Sequence, residues 1–255
     1  MTLIDTHVHL YADEFEKDLP NLMEAAQSSG VSKFFLPNID SGSLAGMEAI
    51  CQRWKGVCYP MYGLHPCSVK ENYHEELMIV NNWLRQRKFA AIGEVGLDFF
   101  WDKSFIDEQY QSFQQQIEWA LSYNLPVVIH TRNAMQETID AVRPFATKGL
   151  KGIFHCFGGS FDEAIEIIDM NFLLGIGGVL TYKKSGLQAV MEKIDLKHIV
   201  LETDAPYLTP VPFRGKRNES AYIKIIAQKL AEIKNVSLEE VAAVTTANAE
   251  KIFGN

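Results

Sequence analysis

Histidines and carboxylates recur in this 255-residue chain at the points where short apolar segments end. The set comprises His7, His9, Glu94, His130, His155 and Asp204. Imidazole and carboxylate groups are the ligands of divalent metals of intermediate hardness. Side chains that converge from the ends of many strands are what a parallel barrel presents at its active face. The pattern therefore predicts a metal-dependent hydrolytic enzyme.

The first two histidines and the glutamate are the most informative members of the set. His7 and His9 form an H-x-H pair, and residues two apart in a strand project to the same side. Taken alone, the pair fits a metal site and a hydrogen-bonded strand edge equally well; the other strand ends favour the metal. Glu94 lies between Gly93 and Gly96, which permit close backbone approach near a ligand. Its carboxylate is therefore expected to bridge two cations.

The number of candidate ligands indicates two metal ions. A structural zinc takes four ligands, and a catalytic zinc takes about three with one open position. Six ligands around a central carboxylate suit two ions about 4 Å apart, and magnesium, manganese and zinc all remain open. Glu202 is expected to orient a ligand imidazole from outside. Asp98 is expected to give similar support, with a substrate contact or a helix cap as alternatives.

Basic residues near the predicted site indicate a phosphorylated substrate. They are Arg132, which follows His130 by two residues, and Arg214, Lys216 and Arg217, which follow Asp204. Singly, each of these charges suits a solvated loop, whereas together beside a metal site they suit phosphate, which a guanidinium binds through two hydrogen bonds. His65, held by Pro66, is expected to donate to a phosphoryl oxygen, with a structural role as the alternative.

Eight apolar segments alternate with amphipathic ones, which predicts a (β/α)₈ barrel with its metal site at the carboxyl ends of the strands. A doubly wound sheet is the alternative. The predicted strands are Leu3–His7, Lys33–Pro37, Cys58–Gly63, Ala90–Glu94, Pro126–His130, Gly152–His155, Phe172–Gly175 and His198–Glu202. No linker or low-complexity tract divides residues 1–255, so a single domain is predicted.

Composition and net charge restrict the partners and the cellular compartment that we expect for the protein. The net charge of −8 opposes broad attraction to nucleic acid or to an anionic membrane, although bound dications would reverse the local field. No apolar stretch approaches the roughly 20 residues that span a bilayer. Four cysteines without C-x-x-C spacing, together with the lack of a signal segment, predict reduced thiols in a cytoplasmic protein. No obligate protein partner is indicated.

Seven ordered motifs carry a family resemblance across nearly the whole chain. They are D-T-H-V-H, G-L-H-P, I-G-E-V-G-L-D, I-H-T-R, H-C-F-G-G, E-T-D-A-P-Y-L and R-G-K-R-N-E. In this combination the sequence resembles the TatD family of metal-dependent deoxyribonucleases, which belong to the amidohydrolase-like TIM barrels. Ser220, where the family often has proline, and Phe213 depart from the usual pattern, but neither is a predicted ligand.

The resemblance implies a (β/α)₈ fold, divalent metals and 3′→5′ exonuclease action on single-stranded DNA. It also implies metal ligation by the same six residues. In the expected mechanism, Glu94 bridges the ions and Asp204 orients or deprotonates the attacking water. His65 and the basic residues would stabilise charge on the phosphoryl oxygens.

Two other functions are compatible with parts of the pattern. An amidohydrolase of cyclic amides, lactones or phosphotriesters also begins with H-x-H, but many such barrels bridge their metals through a modified lysine where this chain has Glu94. A non-catalytic metal-binding scaffold is the second alternative. It has no evident need for an open site with six ligands.

Overall fold

A computed structural model describes residues 1–254, in which eight β-strands alternate with α-helices. The strands are β1 (Leu3–Asp5), β2 (Val31–Pro37), β3 (Cys58–Met61), β4 (Ile92–Asp98), β5 (Val127–Arg132), β6 (Gly152–Phe154), β7 (Leu173–Ile176) and β8 (Ile199–Leu201). The helices are α1 (Leu19–Ser28), α2 (Ser41–Arg53), α3 (Tyr73–Gln86), α4 (Ile106–Tyr123), α5 (Met135–Ala146), α6 (Phe161–Asp169), α7 (Leu187–Lys193), α8 (Ile223–Lys234) and α9 (Leu238–Phe253).

The strands close into a parallel barrel, which confirms the predicted (β/α)₈ fold. Strands β1 to β3 pair in order, as do β4 to β8, and every pair is parallel. A bridge between Met61 and Ala91 joins β3 to β4. At the other seam, Thr6 donates from its amide and its hydroxyl to the Leu201 carbonyl, at 3.1 and 3.0 Å. Adjacent parallel strands joined through helices are the arrangement that such a barrel requires.

Two apolar layers hold the barrel together. The inner layer draws residues from around the ring, and its strand residues are Ile4, Phe35, Met61, Ala91, Val128, Ile153 and Val200. Helix α9 adds Ile252 and Phe253 to this layer, and the Phe253 ring stacks on Phe35 with centroids 3.7 Å apart. The outer layer packs the strands against the surrounding helices. Because α9 closes the amino-terminal end, the carboxyl ends of the strands are left to form the site.

Only β2 ends at its predicted residue; the other seven strand ends differ by one to four residues, and those of β1, β4 and β5 bear on the site. Strand β1 ends at Asp5, so His7 and His9 follow the strand instead of finishing it. Strand β4 runs on to Asp98, and β5 to Arg132. Gly96, expected to permit close backbone approach near a ligand, pairs with His130 inside the β4–β5 ladder. The close approach at Gly96 is therefore to the neighbouring strand.

Gly96→Ala is expected to destabilise the protein by about 3 kcal/mol or more, because two costs add. Gly96 has φ of +144°, and an added Cβ would overlap the His130 carbonyl oxygen. Gly149→Ala is the matched control, since Gly149 has φ of +90° but open space around it. We expect that control to cost about 1 kcal/mol. Urea unfolding measures both; equal losses would contradict a packing requirement at Gly96.

Neither a membrane-spanning helix nor a disulfide occurs within residues 1–254. All four cysteines are unpaired, in agreement with the predicted reduced thiols. Cys51 and Cys58 are buried, and burial raises the pKa of Cys51 to about 12. A thiol with so high a pKa is a poor nucleophile near neutrality. Cys51 therefore serves packing, in keeping with a reaction assigned to other residues.

Candidate metal centre

All six predicted ligands converge at the carboxyl ends of the strands, and His65 lies with them. The contributing positions are His7 and His9 after β1, His65 after β3, Glu94 in β4, His130 in β5, His155 after β6 and Asp204 after β8. Glu94 is buried at the centre of the cluster, within 4 Å of a nitrogen of each of the five histidines. Metal binding by these residues stays a prediction. It requires that their side chains converge, as they do here.

One oxygen of the Glu94 carboxylate faces the residues from the two ends of the chain. Its Oε2 lies 3.1 Å from His7 Nε2 and 3.8 Å from His9 Nε2. Asp204 Oδ1 completes the group, at 3.7 Å from His7 Nε2 and 3.4 Å from His9 Nε2. Asp204 has φ of +55°, and its amide donates to the His7 carbonyl at 2.9 Å. The strand-end backbone therefore fixes these four side chains as one group.

The other oxygen of Glu94 faces the middle strands. Its Oε1 lies 2.9 Å from His130 Nδ1, 3.0 Å from His155 Nε2 and 3.4 Å from His65 Nε2. Each oxygen of one carboxylate thus has a separate set of imidazoles. A bridging ligand between two cations requires this division, and the bridging role of Glu94 stays a prediction.

The hydrogen bond at Nδ1 decides whether Nε2 of His9 and of His65 carries a lone pair or a proton. Tyr11 donates its hydroxyl proton to the Pro37 carbonyl at 2.6 Å, so His9 Nδ1, at 2.8 Å from that hydroxyl, must act as the donor. In the neutral ring, His9 Nε2 then carries the lone pair that a metal needs. The Cys67 amide donates to His65 Nδ1 at 3.0 Å, which places the proton of His65 on Nε2. His65 Nε2 is therefore a donor, and its predicted contact with a phosphoryl oxygen stays a prediction.

The sequence interpretation did not include Tyr11. A signal was available, because Tyr11 follows His9 by two residues and so continues the alternation of His7 and His9. Its ring makes an edge contact with His9, with centroids 5.7 Å apart. Tyr11 thereby orients the Nε2 edge of His9 toward the cluster, as partners of ligating histidines do in metal sites.

Two further carboxylates lie beside the predicted ligands of the middle strands. Asp98 Oδ2 lies 2.9 Å from His130 Nε2, and Glu202 Oε1 lies 3.3 Å from His155 Nδ1. Because a carboxylate accepts hydrogen bonds, the Asp98 contact places a proton on His130 Nε2 and turns the lone pair of Nδ1 toward Glu94. The Glu202 contact is an ion-pair distance without hydrogen-bond geometry, and His155 Nδ1 has no hydrogen-bond partner. Both carboxylates lie where a supporting role requires them, and that role stays a prediction for Asp98 and Glu202.

Burial and neighbouring charges set the protonation of the cluster. Burial would raise the pKa of the Glu94 carboxyl, but the charges of His155 and His7 hold that pKa well below its usual range. Burial and the nearby His155 lower the pKa of His7. Against burial, Glu94 and Glu202 raise the pKa of His155 well above its ordinary value. His7 and His155, stacked at 3.7 Å, thus have pKa values that diverge.

The donor set fits divalent cations. Ligands about 2.1 Å from one ion lie roughly 3.0–3.4 Å from each other in tetrahedral or octahedral arrangement. The group formed by His7, His9, Glu94 and Asp204 has observed separations of 3.1, 3.4, 3.7 and 3.8 Å. A buried cluster of this composition is satisfied when cations take the imidazole lone pairs.

The four predicted basic contacts have other partners in the fold. Arg217 forms two hydrogen bonds with the Asp18 carboxylate, at 2.9 and 2.7 Å. Arg214 lies over the Tyr182 ring at 4.2 Å, and Lys216 lies 5.7 Å from the Phe213 centroid. A bidentate carboxylate occupies the same guanidinium edge that phosphate would use. The geometry thus weakens the case for Arg217 as a phosphate contact and leaves Arg132, Arg214 and Lys216 as predictions.

Glu202→Gln is expected to lower metal affinity about 10- to 100-fold, the usual effect of removing such a partner. Glu202 is fully buried and also accepts from the Cys156 amide. The glutamine side chain would remove the negative charge that raises the pKa of His155. It would also bury an unpaired NH₂ group. Metal titration followed by calorimetry measures the change. Glu239→Gln, at an exposed position in the first turn of α9, is the control, and affinity equal to that control would contradict the role of Glu202.

Comparison with known proteins places this arrangement in a family. The family model described as "TatD related DNase" matches residues 4–254. An uncharacterized metal-dependent hydrolase, YabD of Bacillus subtilis, is 36% identical over 98% of both chains. A Citrobacter koseri protein named 3′-5′ ssDNA/RNA exonuclease TatD is 30% identical over 99% of both chains.

Solved structures agree with the fold. The TatD homologue YjjV of Escherichia coli superposes with a TM-score of 0.93 at 27% identity, over 99% of this chain and 98% of that one. An uncharacterized amidohydrolase from Saccharomyces cerevisiae gives a TM-score of 0.85 at 18% identity, over 99% of both chains, and supports the fold alone. These similarities cover the full ring of strands that carries the candidate centre.

Proposed function

Because the chain belongs to the TatD-related DNase family of metal-dependent hydrolases, we propose that it removes nucleotides from the 3′ end of single-stranded DNA. Metal-dependent hydrolysis of ester bonds follows from the family. We propose in addition that the substrate is DNA, that digestion runs from the 3′ end and that two metal ions take part. The observation that carries it is the Glu94 carboxylate, whose two oxygens face separate groups of imidazoles. The polarity and the single-stranded substrate are proposed from the name of the Citrobacter koseri relative.

Each residue of the centre has a distinct task in the proposed reaction. When bound, two dications would polarise the phosphodiester and lower the pKa of water. His7, His9 and Asp204 would hold one ion, His130 and His155 the other, and Glu94 both. Asp204, whose side chain is 14% exposed, would orient the attacking water and accept its proton.

His65 would stabilise the transition state without binding metal. Its Nε2 hydrogen points into the cluster because Nδ1 accepts from the Cys67 amide. A fixed donor aimed at an oxygen that gains charge lowers the barrier, since it needs no reorganisation during the reaction. Burial lowers the pKa of His65, which keeps the ring neutral near pH 7. The donor is thus the N–H of a neutral imidazole.

The first experiment is digestion of a 5′-labelled single-stranded oligonucleotide with magnesium, manganese or zinc. A ladder that shortens from the 3′ end and disappears with EDTA supports the proposal. The matched duplex should be cut more slowly, because its bases are paired and the net charge of −8 gives weak attraction for duplex. An intact oligonucleotide with every metal would overturn DNA as substrate. Hydrolysis of cyclic amides, lactones or phosphotriesters under those conditions would identify an amidohydrolase.

A further inference from the structure

Two adjacent aromatic side chains are exposed beside the candidate centre. Phe100 and Trp101 lie in the loop that joins β4 to α4, with 47% and 67% of their surface exposed. Their rings meet edge to face, with centroids 4.9 Å apart. Leaving this much aromatic surface in water is unfavourable. A pair of this kind on a loop at the mouth of a barrel indicates a surface that binds something.

Asp98 ties this aromatic pair to the candidate metal centre. Its Oδ1 accepts from the Phe100 amide at 2.9 Å and from the Trp101 amide at 3.1 Å. Its Oδ2 contacts His130 Nε2 at 2.9 Å. One carboxylate therefore fixes both the position of the aromatic loop and the orientation of a predicted metal ligand. The rings are held at a defined place relative to the candidate centre.

Arg132 supports the same pair from strand β5. Its guanidinium lies 4.0 Å from the Phe100 ring centroid and 5.0 Å from that of Trp101. Arg132 follows His130 by two residues in β5, so both side chains leave the strand on the same side. It also lines a cleft of about 450 Å³ together with Asn133 and Cys156, the residue after His155. The aromatic pair, a cation and a cleft thus adjoin the centre.

We propose that Phe100, Trp101 and Arg132 form a platform on which an unpaired nucleobase of the substrate stacks. The inference rests on the proposed function and adds the element that recognises the base. Every nucleobase has a π-face, so aromatic stacking binds single strands with little sequence preference, and arginine adds a cation–π contribution. A base paired within a duplex is stacked on its neighbours and unavailable. The platform therefore provides a physical reason for preference toward a single strand.

The surroundings of the Phe100 and Trp101 rings favour a nucleobase over a protein partner as the group that binds there. A protein partner would need a broad apolar surface, whereas this pair is narrow and lies against a guanidinium. The adjoining centre would act on a phosphodiester, which carries a base within a few ångströms. Arg132 can contact the negatively charged backbone while its plane stays on the rings. The three residues thus present a π-face and a positive charge at one place, as a nucleotide requires.

The test compares Trp101→Ala with Tyr123→Ala. Tyr123 is a matched control because it is also exposed, at 39%, but ends α4 at the opposite end of the barrel. Two oligonucleotides are used: a normal one, and one whose last three 3′ positions are abasic. Steady-state digestion gives kcat and KM. Fluorescence anisotropy with the Asp204→Asn protein as background gives binding without turnover.

We expect Trp101→Ala to raise KM and Kd about 10-fold for the normal oligonucleotide and less than about 2-fold for the abasic one. Trp101→Phe should restore most of the loss, and Tyr123→Ala should change neither constant. Equal effects on both oligonucleotides, or no effect, would overturn the platform even if digestion proceeds. Trp101-dependent binding without digestion would support the platform and overturn the nuclease proposal. Absence of both binding and digestion would overturn both.

Discussion

Glu94→Gln is expected to lower kcat/KM on single-stranded DNA by at least about 1,000-fold. Glu94 Oε2 faces His7 and His9, and Oε1 faces His130 and His155. Glutamine keeps one oxygen but replaces the other with an NH₂ group, which has no lone pair for a cation. One of the two ligand groups therefore loses its shared member, whichever way the amide turns.

Metal content distinguishes this effect from a general loss of structure. Equilibrium dialysis followed by elemental analysis should find two ions per chain in the wild-type protein and one or fewer after Glu94→Gln. Glu118→Gln is the matched control, because Glu118 lies exposed on α4 and contacts Gln114 instead of the centre. Two ions per chain together with near wild-type kcat/KM after Glu94→Gln would remove Glu94 as a bridge.

The sequence predicts which side chains converge more accurately than it predicts where the strands end. His7, His9, Glu94, His130 and Asp204 were identified from apolar segments that end in a polar group, and they do converge. The reason is that a parallel barrel gathers the carboxyl ends of its strands, so an error of two to four residues in a strand end still leaves a side chain at the same rim. The prediction that the side chains converge therefore holds even though the predicted ends of β1 and β4 were wrong.

Orientation could not be read from the sequence, because it depends on contacts between distant segments. The proton on His9 Nδ1 is set by Tyr11 and the Pro37 carbonyl, and that on His65 by the Cys67 amide. Arg217 shows the same limit. Its place in a basic tract suggested phosphate, but Asp18, 199 residues away in the chain, occupies its guanidinium. Charge in a sequence predicts chemistry only after the partner is known.

Asp204→Asn is expected to lower kcat by about 100- to 10,000-fold, the range for loss of a general base, with a much smaller change in KM. Asp204 Oδ1 lies within 3.7 Å of both His7 Nε2 and His9 Nε2 and is the more exposed of the two central carboxylates. The amide can still contact a cation through its oxygen, but it cannot accept a proton from water. The first ligand group keeps His7, His9 and Glu94, so metal content should fall less than after Glu94→Gln.

The backbone at Asp204 makes asparagine the informative substitution. With φ of +55°, this residue lies in the left-handed region, which asparagine enters readily and alanine at a cost of about 1–2 kcal/mol. Asp204→Asn should therefore unfold at the wild-type temperature, while Asp204→Ala should lose both stability and activity. Asp195→Asn, on an exposed turn, controls for the loss of a carboxylate. If Asp204→Asn turned over DNA within threefold of the wild-type kcat, proton transfer would have to be assigned to another group, and the remaining carboxylate at the centre is Glu94.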